Sequence, residues 1–151
     1  MVFEIFTDEF KENILTKAGL IIEARAKELV PKDVGLLMGD IRPTEVNVKQ
    51  MKVKVGTGID YGYYMEYGRK PGKYPPFKAI DKWARRHGIP TWVVMQSIKK
   101  KGIKVGTVET PLKTPSGYRP FLRPALHQSM TKVNEMISKE IKTEISKHRK
   151  T

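Results

Sequence analysis

The chain has no cysteine among its 151 residues, which excludes disulfides and thiolate metal sites. It also lacks any apolar run long enough to cross a bilayer. Its start builds no signal-peptide core, because Asp8, Glu9 and Glu12 interrupt before such a run develops. These absences predict a soluble chain with no membrane partner. A cysteine-free composition fits a reducing compartment but also fits many exported proteins, so it says little about location. The three histidines, His87, His127 and His148, lie in unrelated places. None is followed four residues later by the His or Glu of a helical metal site, so each reads as an ordinary polar helix residue.

Carboxylates are scarce where cations are plentiful. Residues 1–50 hold 7 Lys/Arg against 9 Asp/Glu, residues 51–100 hold 11 against 3, and residues 101–151 hold 11 against 4. The net charge of +13 therefore sits in the later two thirds. A field of that kind suits a polyanionic partner, either nucleic acid or an acidic protein face. Lysine used for solubility is the plainer alternative.

One domain is expected from the length, covering residues 1–151. Asp8 to Val30 reads as a helix with Thr7 as N-cap and acidic residues in its first turn. Ile14, Ala18, Ile21, Ile22, Ala26 and Leu29 make its apolar stripe, and Pro31 ends it. After a glycine-bearing loop with room for a short helical turn, Val46–Val48 and Met51–Val55 alternate as a hairpin turning at Lys49-Gln50. The aromatic stretch Ile59–Tyr67 reads as a third strand. Pro76 opens a short helix with Ile80, Trp83 and Ala84 inward and Gly88 at its end. Thr91–Lys101 forms another helix, stopped by Gly102. Leu126, Met130, Val133, Ile137, Ile141 and Ile145 form the stripe of a last helix starting at Pro124. Residues 69–76 and 103–118, rich in Gly, Pro and charge, read as extended loops or arms. The fold class is α+β, with an antiparallel sheet of three to four strands packed against long N- and C-terminal helices.

No catalytic constellation emerges. Gly68-Arg69-Lys70-Pro71-Gly72-Lys73 differs from a phosphate-binding loop in three ways: its spacing is one residue short, a proline removes a backbone donor, and Tyr74 replaces the magnesium-binding hydroxyl. Asp33, Asp40, Asp60 and Glu66 could gather as an acidic metal cluster, but nothing in their spacing requires it. Ser97, Ser116 and Ser129 lack the context of a nucleophile elbow. The expectation is a chain that is not an enzyme and needs no cofactor. The tyrosines between 61 and 67 read as packing residues rather than base-stacking platforms.

Three blocks carry a resemblance. They are Pro31-Lys32-Asp33-Val34-Gly35-Leu36-Leu37; Val55-Gly56 followed by Tyr61-Gly62-Tyr63-Tyr64-Met65-Glu66-Tyr67-Gly68; and Arg119-Pro120-Phe121-Leu122-Arg123-Pro124-Ala125-Leu126. In order and spacing, together with the helix bearing Trp83, they resemble the small head–tail connector, or tail-completion, proteins of long-tailed bacteriophages. Val34 departs from the threonine usual in that family, and Arg69 from the threonine that often follows the glycine. The resemblance implies a non-enzymatic virion protein of the phage neck, made in the host cytoplasm and assembling as a homo-oligomeric ring, a hexamer by analogy. Its partners would be a head-completion or connector protein, a tail terminator or tail-tube protein, and the genomic DNA passing through the lumen. Pro31, Asp33, Gly35, Leu37, Gly56, Tyr61, Tyr64, Glu66, Gly68, Trp83, Pro120, Phe121 and Pro124 are the structural motif residues on this reading. Arg69, Lys70, Lys73, Tyr74, Lys99, Lys100, Lys101 and Lys104 are the candidate contacts to subunits or partners. Protein faces are the expected partners of these cations, since a strongly basic lumen would hinder passage of DNA by binding its backbone. The alternative reading is a basic nucleic-acid-binding module without catalysis.

Overall fold

A computed structural model describes residues 5–30, 35–105 and 120–150. The order of elements is α1 (Asp8–Leu29), α2 (Gly35–Asp40), β1 (Arg42–Asn47), β2 (Lys52–Gly56), α3 (Asp60–Tyr67), α4 (Phe77–Arg86), α5 (Thr91–Lys101) and α6 (Leu122–Arg149). The class is α+β, with long helices at both ends. Among the described residues the sheet has only two strands, fewer than the sequence suggests.

The first helix begins where its chemistry dictates. The Thr7 hydroxyl accepts from the Phe10 N–H at 3.1 Å, and Asp8 and Glu9 occupy the positive first turn. Ile14, Leu15, Ala18, Ile22 and Ala26 are buried, and the Val30 backbone ends the helix in extended geometry. One side of α1 meets the hairpin so closely that a Cβ on Gly19 would lie 3.0 Å from Val53 and 3.1 Å from Pro43. Its other side meets α6, which runs antiparallel to it: Lys17 pairs with Glu140 at 2.8 Å and Arg25 reaches Gln128 at 2.8 Å.

The hairpin pairs Val46 with Val53 and Asn47 with Lys52. Its turn is longer than Lys49-Gln50. Residues 48–51 all belong to it, with Met51 at φ 48° and the Gln50 N–H bonded to the Asn47 side chain.

The expected third strand is a helix. In α3 the buried residues are Tyr61, Gly62, Met65 and Glu66, a spacing of four, while Tyr63 and Tyr67 stand outside with ring centroids 4.9 Å apart. An eight-residue aromatic run cannot be assigned by periodicity alone, and strand propensity is a weak prior. The deciding signals are helical: Asp60 opens the first turn and Gly68 closes the last one at φ 71°.

On α6 the first turns of the buried stripe depart from the one expected, while Val133 is buried and Ile137 packs on the core as that stripe predicts. Ala125, Ser129 and Val133 face inward, whereas Leu126 and Met130 are 49% and 43% exposed. Ala125 joins Ala18, Ile22 and Ala26 of α1 in one cluster, so small residues occupy the places that bulk alone would give to Leu126 and Met130. That main core also holds Leu37, Ile41, Tyr61, Met65 and Phe121. A second cluster joins Ala79, Ile80 and Ala84 of α4 to Ile98 of α5, with Trp83, Val94, Ile103 and Tyr64 packed against it.

Asp40, at the end of α2, fixes the approach to α3. Its carboxylate accepts from the Thr57 hydroxyl and the Gly58 N–H, both at 2.7 Å, and pairs with Arg42 at 3.2 Å. The Thr57 bond, then Gly58 and the Arg42 charge, hold its pKa below the ordinary value. Folding therefore favours the ionised form. The stability this contributes is complete above the unfolded value of about 4 and is lost as pH falls through the depressed folded value. Asp40→Asn is expected to lower the urea midpoint at pH 7 and to narrow the difference between pH 7 and pH 3. An unchanged pH profile would remove Asp40 from the acid response.

Candidate functional site

The motif residues converge on the start of α6. Glu66 lies on the inner face of α3 with 1% of its surface exposed. One carboxylate oxygen accepts from the N–H groups of Phe121 (2.7 Å) and Leu122 (2.8 Å). The other accepts from the Arg123 N–H (2.8 Å) and Arg123 Nε (3.0 Å). The Arg123 guanidinium also donates to the Glu66 carbonyl and lies 4.7 Å from the centre of the Tyr67 ring. A helix's first N–H groups have no partner within the helix, and its dipole favours an anion there. Glu66 thus caps α6 from a helix some fifty residues earlier in the chain. Here the second and third blocks of the resemblance are joined.

The first block meets the second beside it. A Cβ on Gly62 would lie 2.9 Å from Leu37 Cδ1 and 2.8 Å from Thr57 Cγ2, so a larger residue here would force those side chains to shift. Leu37, Phe121, Pro120 and Pro124 are fully buried, and Tyr61 is nearly so. Gly35 opens α2 and Gly56 closes β2, while Pro31 and Asp33 lie outside the described residues, as does Arg119. Trp83 packs on the second cluster instead.

The candidate contact residues also come together. Arg69 and Ile103 form an isolated antiparallel bridge through N–H to carbonyl bonds of 2.9 and 2.8 Å, and the Gly72 N–H donates to the Lys99 carbonyl at 2.7 Å. Two glycines make this possible: Gly102, which the sequence marks as a helix stop, and Gly68, which ends the stretch it reads as a strand. Gly68 and Gly102 both adopt φ near 70° with ψ near −170°, a region essentially restricted to glycine. A Cβ on Gly68 would strike the Ile103 carbonyl, and one on Gly102 the Arg69 carbonyl. The chain leaving α3 and the chain leaving α5 are thereby clasped. Arg69 donates to the Tyr64 hydroxyl at 3.2 Å and the Tyr74 carbonyl at 2.9 Å, and Lys99 sits 4.3 Å from the Tyr74 ring centre. Segment 69–76 is thus an irregular loop, exposed from Lys70 to Tyr74 but fastened at its base. The loop expected over 103–118 lies outside the described residues beyond Val105.

Of the acidic residues considered as a cluster, two are engaged elsewhere. Asp40 is engaged by Thr57, Gly58 and Arg42, Glu66 by α6, and Asp33 lies outside the described residues. Among the described residues no three His, Asp or Glu side chains gather as a metal site. Among the same residues no helix is long and apolar enough to cross a membrane. No protein-family model, curated protein or solved structure matches the chain.

Proposed function

We propose that the chain is a non-enzymatic structural protein of a phage neck, a ring-forming tail-completion component that joins a portal-side connector to a tail tube. The observation that carries this reading is how the motif residues are used. Glu66, Gly62, Leu37, Phe121 and Pro124 are consumed in joining α2, α3 and α6, and so act as scaffold rather than as a reactive centre. The outward surface left by this scaffold suits contacts between subunits. Leu126 and Met130 are exposed one turn apart on α6, and Phe77 projects from α4. By the same analogy the ring is a hexamer in the virion, with free subunits in the host cytoplasm during assembly.

Size-exclusion chromatography with light scattering tests the proposal. The 17.3 kDa chain is expected to run as a multiple of itself, or to become one on mixing with purified tail tubes. Leu126→Glu with Met130→Glu is expected to return it to monomer mass with its helical circular dichroism intact. A wild-type chain that stays monomeric at high concentration and ignores tail tubes would sink the reading.

A further inference from the structure

The clasp between α3 and α5 brings together the segments that carry Lys70, Lys73, Lys99, Lys100, Lys101 and Lys104; all six are exposed, and among the described residues none of them is in an ion pair. Residues 59–105 hold 11 Lys/Arg and three Asp/Glu, a net of +8. Of those three acids, Glu66 is buried against α6 and Asp81 is bound to Arg85 and Thr91. Beside the lysines runs a shallow groove of about 550 Å³ lined by Gly72, Tyr74, Val93, Gln96, Ser97 and Lys99–Lys101. Trp92, Gln96 and Lys99–Lys100 follow one another at helical spacing on the outer side of α5, and Trp92 is 62% exposed.

From this arrangement we infer that the face binds the phosphodiester backbone of nucleic acid without reading its sequence. Three features fit a phosphodiester partner held without sequence readout. The available cations of the face are all lysines, which act on phosphate as point charges and impose no fixed orientation on it. The one arginine at the clasp, Arg69, already donates to Tyr64 and Tyr74. Exposed rings at Tyr74 and Trp92 flank the lysines, and bases or sugars stack on such rings whatever the sequence. The inference rests on this face alone and does not require ring assembly.

Fluorescence anisotropy on the full chain, with a random-sequence duplex and with oligothymidylate, tests it. Replacing Lys70, Lys73, Lys99, Lys100 and Lys101 with Gln is expected to weaken duplex binding at least about tenfold. It should also reduce the salt slope by roughly 0.9 for each phosphate no longer neutralised. Gln at Lys132, Lys139, Lys142 and Arg149 of α6 and at Lys150, its C-cap, removes the same charge elsewhere and is expected to change little. Trp92→Ala should weaken oligothymidylate more than duplex. Equal losses from the two five-residue variants would reduce the effect to net charge and overturn the proposal. So would unaltered binding by the first variant, or displacement of the duplex by polyglutamate at matched charge, which would point to an acidic protein instead.

Discussion

Replacing Glu66 with alanine is expected to cost about 3–5 kcal/mol of folding stability, the worth of roughly two of the hydrogen bonds to a charged group that it removes, although the residue belongs to a short helix of eight residues. The substitution strips acceptors from the N–H groups of Phe121, Leu122 and Arg123 and leaves the Arg123 guanidinium without its carboxylate. Phe121 itself is fully buried, so water has poor access to at least the first of these donors. Glu66→Gln should fall between wild type and alanine. It keeps the shape and one acceptor, but it turns an amide donor toward a set of groups that only donate. Urea denaturation followed by circular dichroism measures both variants. A loss no larger than that of an ordinary exposed helix cap, about 1 kcal/mol, would mean that α6 holds its place without Glu66.

Glu66 also shows where a sequence stops being legible. As a letter it is one residue of a motif, and equally one of four scattered acids. Its task depends on a helix start more than fifty residues away, and no local pattern encodes that approach. Local signals, by contrast, are plain. The Thr7 cap, the Pro31 stop, Pro76, Gly88 and the Lys-Lys-Lys-Gly end of α5 act through backbone geometry within one turn, so they place α1, α4 and α5 correctly. The Ile59–Tyr67 stretch misleads because its aromatic composition masks the four-residue spacing of Tyr61 with Met65 and Gly62 with Glu66. On α6 the period is legible throughout, but the phase only from Val133 onward. Leu126 and Met130 look like core by size, while the helix turns Ala125 and Ser129 inward.

The basic face is half legible. Its cations can be named from composition, but their meeting depends on two glycine conformations and one bridge between Arg69 and Ile103, two segments far apart in the chain. Gly68 and Gly102 each follow a helix, and a glycine there is ordinarily a stop and no more. That the two stops face each other, each leaving room for the other segment's carbonyl, is a tertiary fact. Trp92, Gln96 and Ser97 are hidden in the sequence for a related reason. An exposed ring on an amphipathic helix resembles a core residue until the opposite face is seen to be the buried one.

Phe121→Ala is the second large effect expected, again about 3–5 kcal/mol. The ring is fully buried in the cluster with Leu37, Ile41, Tyr61 and Met65, where α2, α3 and α6 meet. Truncation loses that burial and leaves a cavity that two helices and a proline-bounded turn cannot easily close. The backbone at the same residue donates to Glu66 and accepts from the Ala125 N–H at 3.2 Å, so a shift to fill the cavity would strain the α6 cap. Calorimetric or urea unfolding should therefore show lost stability before any assembly defect is measured. A variant that melts like wild type and fails only to assemble would make Phe121 an interface residue and refute its place in the core. Ring and carboxylate hold one helix start from two directions, so their losses should not add. The Glu66→Ala, Phe121→Ala pair is expected to fall short of the summed single losses by about 0.5–3 kcal/mol. Strict additivity would mean that cap and core act independently, and that α6 is positioned by two separate contacts rather than one joint.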